Sequence, residues 1–207
     1  MKQPTIILLT IIFLAFKTDY EVGIEDSFPA QSASLLNKKV PHFSGWLLND
    51  SVVDETILTN KIVLLNFMFI GCQGCMQELP NLARLYEEYN KSNFMIVTIM
   101  GNGIPDIRSY QETGDTSKVF YQIRKMGKYE NIKNIIIAEC KSIKRNGPTN
   151  GITTCTDNIS KKFNIIAYPT NLLIDETGII RKIYHNLSDD SEFLDLQDRI
   201  AYFMDKK

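Results

Sequence analysis

The chain has almost no net charge: 23 Lys and Arg stand against 24 Asp and Glu, a formal −1. Without a basic excess or a Lys/Arg stripe it lacks the electrostatic footprint of a nucleic-acid binder. Its short basic clusters, Lys38-Lys39 and Lys141 with Lys144 and Arg145, read as solvated loop charges. Histidine is scarce. His42 and His185 have no helical metal spacing and read as surface or hairpin residues. Cysteine is limited to Cys72, Cys75, Cys140 and Cys155, with only one closely spaced pair. A structural zinc site wants four ligands, so that pair falls short of one. There is no internal repeat and no low-complexity segment. Nor is there an apolar run of the roughly 20 residues that span a bilayer as a helix.

What is there is ordinary globular usage. Hydrophobic residues make up 44% and charged residues 23%, which sets aside a disordered or membrane composition. A length of 207 residues suits one domain with additions. The first segment is informative. Lys2 precedes an apolar stretch of about 13 residues, Pro4 to Phe16, and Lys17 ends it. That pattern reads as a secretory signal, with an uncleaved membrane anchor as the alternative. Ala30 and Ala33 are the candidate small residues for a cleavage site. The expected organisation is a signal peptide or anchor plus flexible leader over 1–39, then one domain over 40–207.

Along that domain the pattern predicts a short hairpin over Val40–Val53, with Trp46 in the core and a turn at Asn49-Asp50-Ser51. Ile62–Ile70 is a nearly continuous apolar run, which suits a strand buried on both faces. Cys72–Asn90 has helical spacing, with Met76, Leu79, Ala83 and Tyr86 on one stripe. Phe94–Met100 is a second buried strand, so the order strand, helix, strand makes a parallel crossover. Asp106–Lys128 reads as helix, broken near Gly114. Ile132–Ala138 is a strand, Asn146–Gly151 a loop, and Asp157–Phe163 a short helix. Asn171–Asp175 and Ile179–His185 form a hairpin, and Ser188-Asp189-Asp190-Ser191 offers caps for a helix through Asp205. The fold class is α/β, with a mixed sheet.

Cys72-Gln73-Gly74-Cys75 sits where a buried strand gives way to a helix. The first N–H groups of a helix have no partner within it, and the macrodipole adds positive potential there. A thiolate at Cys72 is favoured in that place, and the thiolate is the nucleophile of disulfide exchange. Cys75, about one turn on, is placed to resolve a mixed disulfide. Metal binding by the pair and an inert pair are the alternatives. Pro80 lies inside the helix and is expected to kink it.

The segment Asn66-Phe67-Met68-Phe69-Ile70-Gly71-Cys72-Gln73-Gly74-Cys75-Met76-Gln77-Glu78-Leu79-Pro80 resembles the active-site segment of TlpA/ResA-like thiol-disulfide oxidoreductases, in the thioredoxin superfamily. A second match, Tyr168-Pro169-Thr170-Asn171-Leu172-Leu173-Ile174-Asp175-Glu176-Thr177-Gly178, resembles that family's proline, strand and Asp-x-x-Gly turn. The likeness covers roughly residues 40–205. It implies a thioredoxin-like fold: a mixed central sheet with flanking helices, an N-terminal β-hairpin and an inserted strand-helix segment. It implies that Cys72 and Cys75 are catalytic and that Glu78 handles protons beside them. It further implies that Pro169 is cis and faces the cysteines, with Tyr168 beside it binding substrate. One departure is plain: the family usually has Trp before the first cysteine, and Gly71 stands there.

Cys140 and Cys155 flank the Asn146–Gly151 loop. A bridge between them would close about 15 residues, worth about 3 kcal/mol in the chain-entropy model. Two free buried thiols are the alternative. The expected function is an exported oxidoreductase of the periplasm or cell envelope that reduces disulfides of protein substrates, recharged by a membrane thiol-disulfide reductant. It calls for no cofactor and no metal. The alternatives are a Cu(I) metallochaperone or a non-catalytic binding module on the same scaffold. A peroxidase would carry Thr or Ser three residues before its reactive cysteine, and Phe69 stands there.

Overall fold

The computed structural model describes residues 34–89, 92–113, 134–142, 145–146, 151–152 and 158–205. Its centre is strand β3 (Ile62–Met68), in which all seven residues are buried. A strand turns successive side chains to opposite faces. Ile62, Leu64 and Met68 therefore join one core, and Val63, Leu65 and Phe67 the other.

Around β3 runs a sheet that includes β1 (Ser44–Leu47), β2 (Val52–Asp54), β4 (Phe94–Gly103), β5 (Ile135–Cys140), β8 (Thr170–Ile174) and β9 (Ile180–Tyr184). The order is β2-β1-β5-β4-β3-β8-β9. Strands β3, β4 and β5 run parallel, while β1, β2, β8 and β9 pair antiparallel. The parallel centre follows from its crossover: helix α1 (Gln73–Tyr89) carries the chain from the end of β3 back to the start of β4.

Helix α1, helix α2 (Ile104–Thr113) and the last helix, α4 (Asp190–Asp205), share the first core. Leu79, Leu82 and Leu85 of α1 pack there with Ile104, Ile107, Leu196 and Ile200. On the other face Phe163, after the short helix α3 (Ile159–Lys162), packs its ring at a tilt 5.2 Å from that of Phe67 and 5.9 Å from that of Phe43. Asp189 caps α4, its Oδ1 accepting from the N–H groups of Ser191 and Glu192 at 2.9 and 3.3 Å. Among the described residues no helix is long and apolar enough to cross a membrane.

Four details differ from the sequence reading. The chain joins the fold before Val40: Leu35 is buried, and Asn37 and Val40 donate to the carbonyls of Ile180 and Gly178 beside β9. Backbone pairing needs no apolar pattern, which is why the leader boundary at 39 runs too far into the domain. Trp46 is only half-buried, with the Lys141 ammonium 4.9 Å over its ring. That lysine, read as a solvated loop charge, covers an aromatic face. Arg145–Asn146 (β6) and Gly151–Ile152 (β7) pair as a small ribbon at the two ends of the stretch read as loop. Helix α2 is described to Thr113, and the rest of the helical reading over 106–128 lies outside the described residues, as does the N-terminal signal or anchor.

Strand β1 crosses β5 closely at Gly45. A Cβ there would lie 2.3 Å from Ile137 Cγ2, 3.0 Å from Ile159 Cδ1 and 3.2 Å from the Ala138 carbonyl. Gly45→Ala is expected to lower stability by about 1–3 kcal/mol, the usual cost of overpacking. A lower urea midpoint at unchanged m-value is the measurement; an unchanged midpoint would show that β1 yields at no cost.

Candidate active site

Strand β3 ends at Met68, and after four intervening residues the chain starts α1 at Gln73. The turn between is held from the side and from within. The buried Asn102 of β4 accepts the Ile70 N–H on its Oδ1 at 2.7 Å, and Cys72 N–H donates to the Phe69 carbonyl at 3.2 Å. Gly71 has φ +105°, a conformation that side chains strongly disfavour. The backbone here favours glycine over the tryptophan that the TlpA/ResA-like resemblance leads one to expect.

Cys72 is the N-cap of α1. Its carbonyl accepts from Met76 N–H at 3.1 Å and its Sγ accepts from Cys75 N–H at 3.2 Å. The sulfur takes the place that a Ser or Asp oxygen usually fills. Cys72 and Cys75 are joined in a disulfide. When the pair is reduced, the same amide and the helix dipole favour a thiolate at Cys72. Cys72 is 7% exposed and Cys75 0%. Only the first cysteine keeps any exposed surface, and less than a helix start suggests.

Glu78 lies one turn beyond Cys75 on the same buried face and is 1% exposed. Burial pushes its carboxyl up to about 7. Four donor contacts oppose that rise. Asn66 Nδ2 donates to Oε1 at 2.8 Å, Asn171 Nδ2 reaches Oε1 at 3.3 Å and Oε2 at 3.1 Å, and Leu187 N–H donates to Oε2 at 3.3 Å. The Glu192 carboxylate adds to the rise through space. Asn66 and Asn171 fall within the two sequence motifs, yet the sequence reading gives them no part. The signal was available: each is an amide at an inward position of an otherwise apolar strand.

The loop before β8 brings the second motif to the first. The Tyr168-Pro169 peptide is cis. A Cβ on Gly74 would lie 3.1 Å from Pro169 Cδ, so the proline rests on the dipeptide between the cysteines. Tyr168 meets Phe69 edge-on at 5.3 Å, and burial raises its phenol above the ordinary range. His185 is half-buried, with Nδ1 3.3 Å from Thr170 Oγ1, whereas His42 is almost fully exposed and pairs with Glu55. Pro80 is exposed inside an unbroken α1. Cys140, at the end of β5, is buried and disulfide-bonded. The partner the sequence suggests for it, Cys155, lies outside the described residues. Among the described residues no cluster of three or more His, Cys, Asp or Glu could hold a metal ion.

The model of the family described as AhpC/TSA matches residues 36–183, most of the chain. The chain belongs to the AhpC/TSA family. Thioredoxin-like protein YneN of Bacillus subtilis is 23% identical over 164 residues, which is 79% of this chain and 74% of YneN. Among solved structures, a thiol-disulfide oxidoreductase from Bacteroides fragilis superposes with a TM-score of 0.52 at 21% identity, covering 77% of this chain and 99% of that one. The reduced 2-Cys peroxiredoxin of Plasmodium vivax superposes with a TM-score of 0.56 at 20% identity, covering 81% and 97%. These likenesses establish a thioredoxin-like fold. Family, fold and the cysteine pair together support thiol-disulfide oxidoreductase activity.

A carboxyl held near 7 in the folded chain and near its ordinary 4.5 in the unfolded one leaves a signature. Between those two values the folded state binds the proton and the unfolded state does not. The contribution of Glu78 to stability is therefore present below 4.5 and is lost as the pH rises through about 7. Glu78→Gln is expected to flatten that part of the stability profile, measured by urea unfolding of the oxidised protein from pH 4 to 8. A profile that keeps its slope in the variant would assign the loss to other groups.

Proposed function

We propose that this chain is an exported thiol-disulfide oxidoreductase that reduces disulfides of protein substrates. The observation that carries the reading is the Cys72–Cys75 disulfide at the start of α1, with Pro169 packed on the intervening Gly74 and buried Glu78 one turn below.

In the reduced form the Cys72 thiolate attacks one sulfur of a substrate disulfide. The S–S bond breaks, the other substrate sulfur leaves as a thiolate, and a mixed disulfide forms. The Cys75 thiol loses its proton to the Glu78 carboxylate and attacks Cys72. The second substrate sulfur departs with its electron pair, and Cys72–Cys75 closes. The substrate gains two electrons and, from solvent and Glu78, two protons. A membrane thiol-disulfide reductant then returns the pair to the dithiol. Tyr168 and Pro169 bind the extended substrate segment. Export is inferred from the apolar run Pro4–Phe16 with its preceding lysine. The peroxidase reading is disfavoured by Phe69, which stands three residues before Cys72. A two-thiolate Cu(I) site is disfavoured by the spacing, one residue shorter than in copper-binding relatives.

Cys72→Ser is expected to abolish insulin reduction, while Cys75→Ser accumulates mixed disulfides that trapping and mass spectrometry identify. In the reduced wild type a short iodoacetamide pulse at neutral pH should label Cys72 before Cys75. Full activity in Cys72→Ser would end the enzyme reading, and preferential labelling of Cys75 would exchange the two roles. The reduction potential of the pair against a glutathione series tests the direction: a strongly oxidising value would turn the reductant into an oxidant.

A further inference from the structure

On the α1 side of the sheet Ile62, Leu64 and Met68 of β3, Phe94, Ile96 and Met100 of β4 and Leu173 of β8 are apolar, and one row among them is polar. Asn66 lies directly opposite Asn171 on one side and Thr98 on the other in the strand register. All three are completely buried. Three polar residues side by side in a core are costly unless each is bonded. Their bonds all run one way. Asn134, just before β5, donates Nδ2 to Thr98 Oγ1, and Thr98 donates to Asn66 Oδ1 at 3.4 Å. Asn66 spends both protons of its amide, one on Glu78 Oε1 at 2.8 Å and one on Asn171 Oδ1 at 2.8 Å. Asn171 in turn aims its own Nδ2 at both oxygens of Glu78.

We propose that Asn66 and Asn171 are positioning residues for Glu78, and that Thr98 and Asn134 extend them into a one-way row of donors ending on its carboxylate. For the ionised form of Glu78 the orientation is forced by chemistry. A carboxylate only accepts, so both amides must turn their nitrogens toward it. The oxygen of Asn66 then faces away and takes the Thr98 hydroxyl. Each donor in such a chain polarises the next. The row thus fixes where the carboxylate oxygens lie beneath Cys75 and how readily they give up a proton. The other titratable groups around Glu78 are Cys75 on its own helix and Glu192 of α4, whose carboxylate bonds the backbone amides of His185 and Asn186. His185, at the end of β9, turns its ring to Thr170. The strand neighbours Asn66, Thr98 and Asn171 are neutral, so from that side donor geometry rather than charge acts on Glu78.

This inference rests on the reading that Glu78 exchanges the proton of Cys75, and the test separates the two. Carbon-13 NMR of the carboxyl of Glu78 in the oxidised full chain reports its ionisation midpoint while neither active-site cysteine titrates. Asn171→Leu and Asn66→Leu keep the approximate size and remove the donors to the charged form. Each is expected to raise the midpoint by about one pH unit. Thr98→Val, which never touches Glu78, is expected to raise it by a few tenths, and Thr98→Ser to leave it near wild type. A midpoint unmoved in either Leu variant that folds would overturn the positioning role. Equal midpoints in Thr98→Val and wild type, or equal shifts in the Val and Ser variants, would cut the row at Asn66. The pH profile of model-disulfide reduction gives the second readout. If the NMR midpoint moves and the rate profile does not, the row stands and the proton role of Glu78 falls.

Discussion

Strand β3 leaves no side chain in water, and the molecule is arranged around that constraint. A strand buried on both faces needs a layer on each, and the alternation of Ile62, Leu64 and Met68 with Val63, Leu65 and Phe67 supplies the contacts for two cores. Its neighbours must also satisfy every backbone group. Parallel β4 and antiparallel β8 do so along nearly its full length. The end of β3 is therefore rigid, and the turn that follows delivers Cys72 to the first turn of α1 with its sulfur against an amide N–H. The proline loop reaches the same place because β8 begins beside the end of β3, Thr170 pairing with Phe67.

The same constraint explains the polar exception. Glu78 faces the sheet because it is one helical turn past Cys75, and Cys75 must face inward to remain out of solvent. A carboxyl there loses its hydration, so the row beneath it cannot be wholly apolar. Asn66, Asn171 and the Leu187 amide replace part of the lost water. Burial still outweighs them, and the carboxyl is left raised to about 7. A buried carboxyl and the polar row that supports it thus share one site in the core.

Much of this was legible in the residues. The run Ile62–Ile70 announces a doubly buried strand, the Cys-x-x-Cys after it announces a helix start, and the second motif locates β8 and β9. What escaped was set by long-range geometry. The inward stripe of α1 centres on Cys75, Glu78, Leu82 and Leu85, whereas a purely hydrophobic count displaces it toward Met76, Ala83 and Tyr86 because it omits the glutamate. The meeting of Asn66 with Asn171, 105 residues apart, depends on strand register. So does the place of His185 beside Thr170. The need for glycine at position 71 depends on a positive φ that no pattern of side chains encodes.

The segment Asn37–Val40 runs beside Gly178–Ile180, at the turn between β8 and β9. That turn is at the far end of β8 from Pro169, about 17 Å away along five residues of strand. The polypeptide therefore enters the domain at the pole opposite the cysteines. The entry of the described chain and the Cys72–Cys75 face thus lie at opposite ends of β8. The same stretch bonds to Ile180 at the start of β9 and covers that end of the sheet edge.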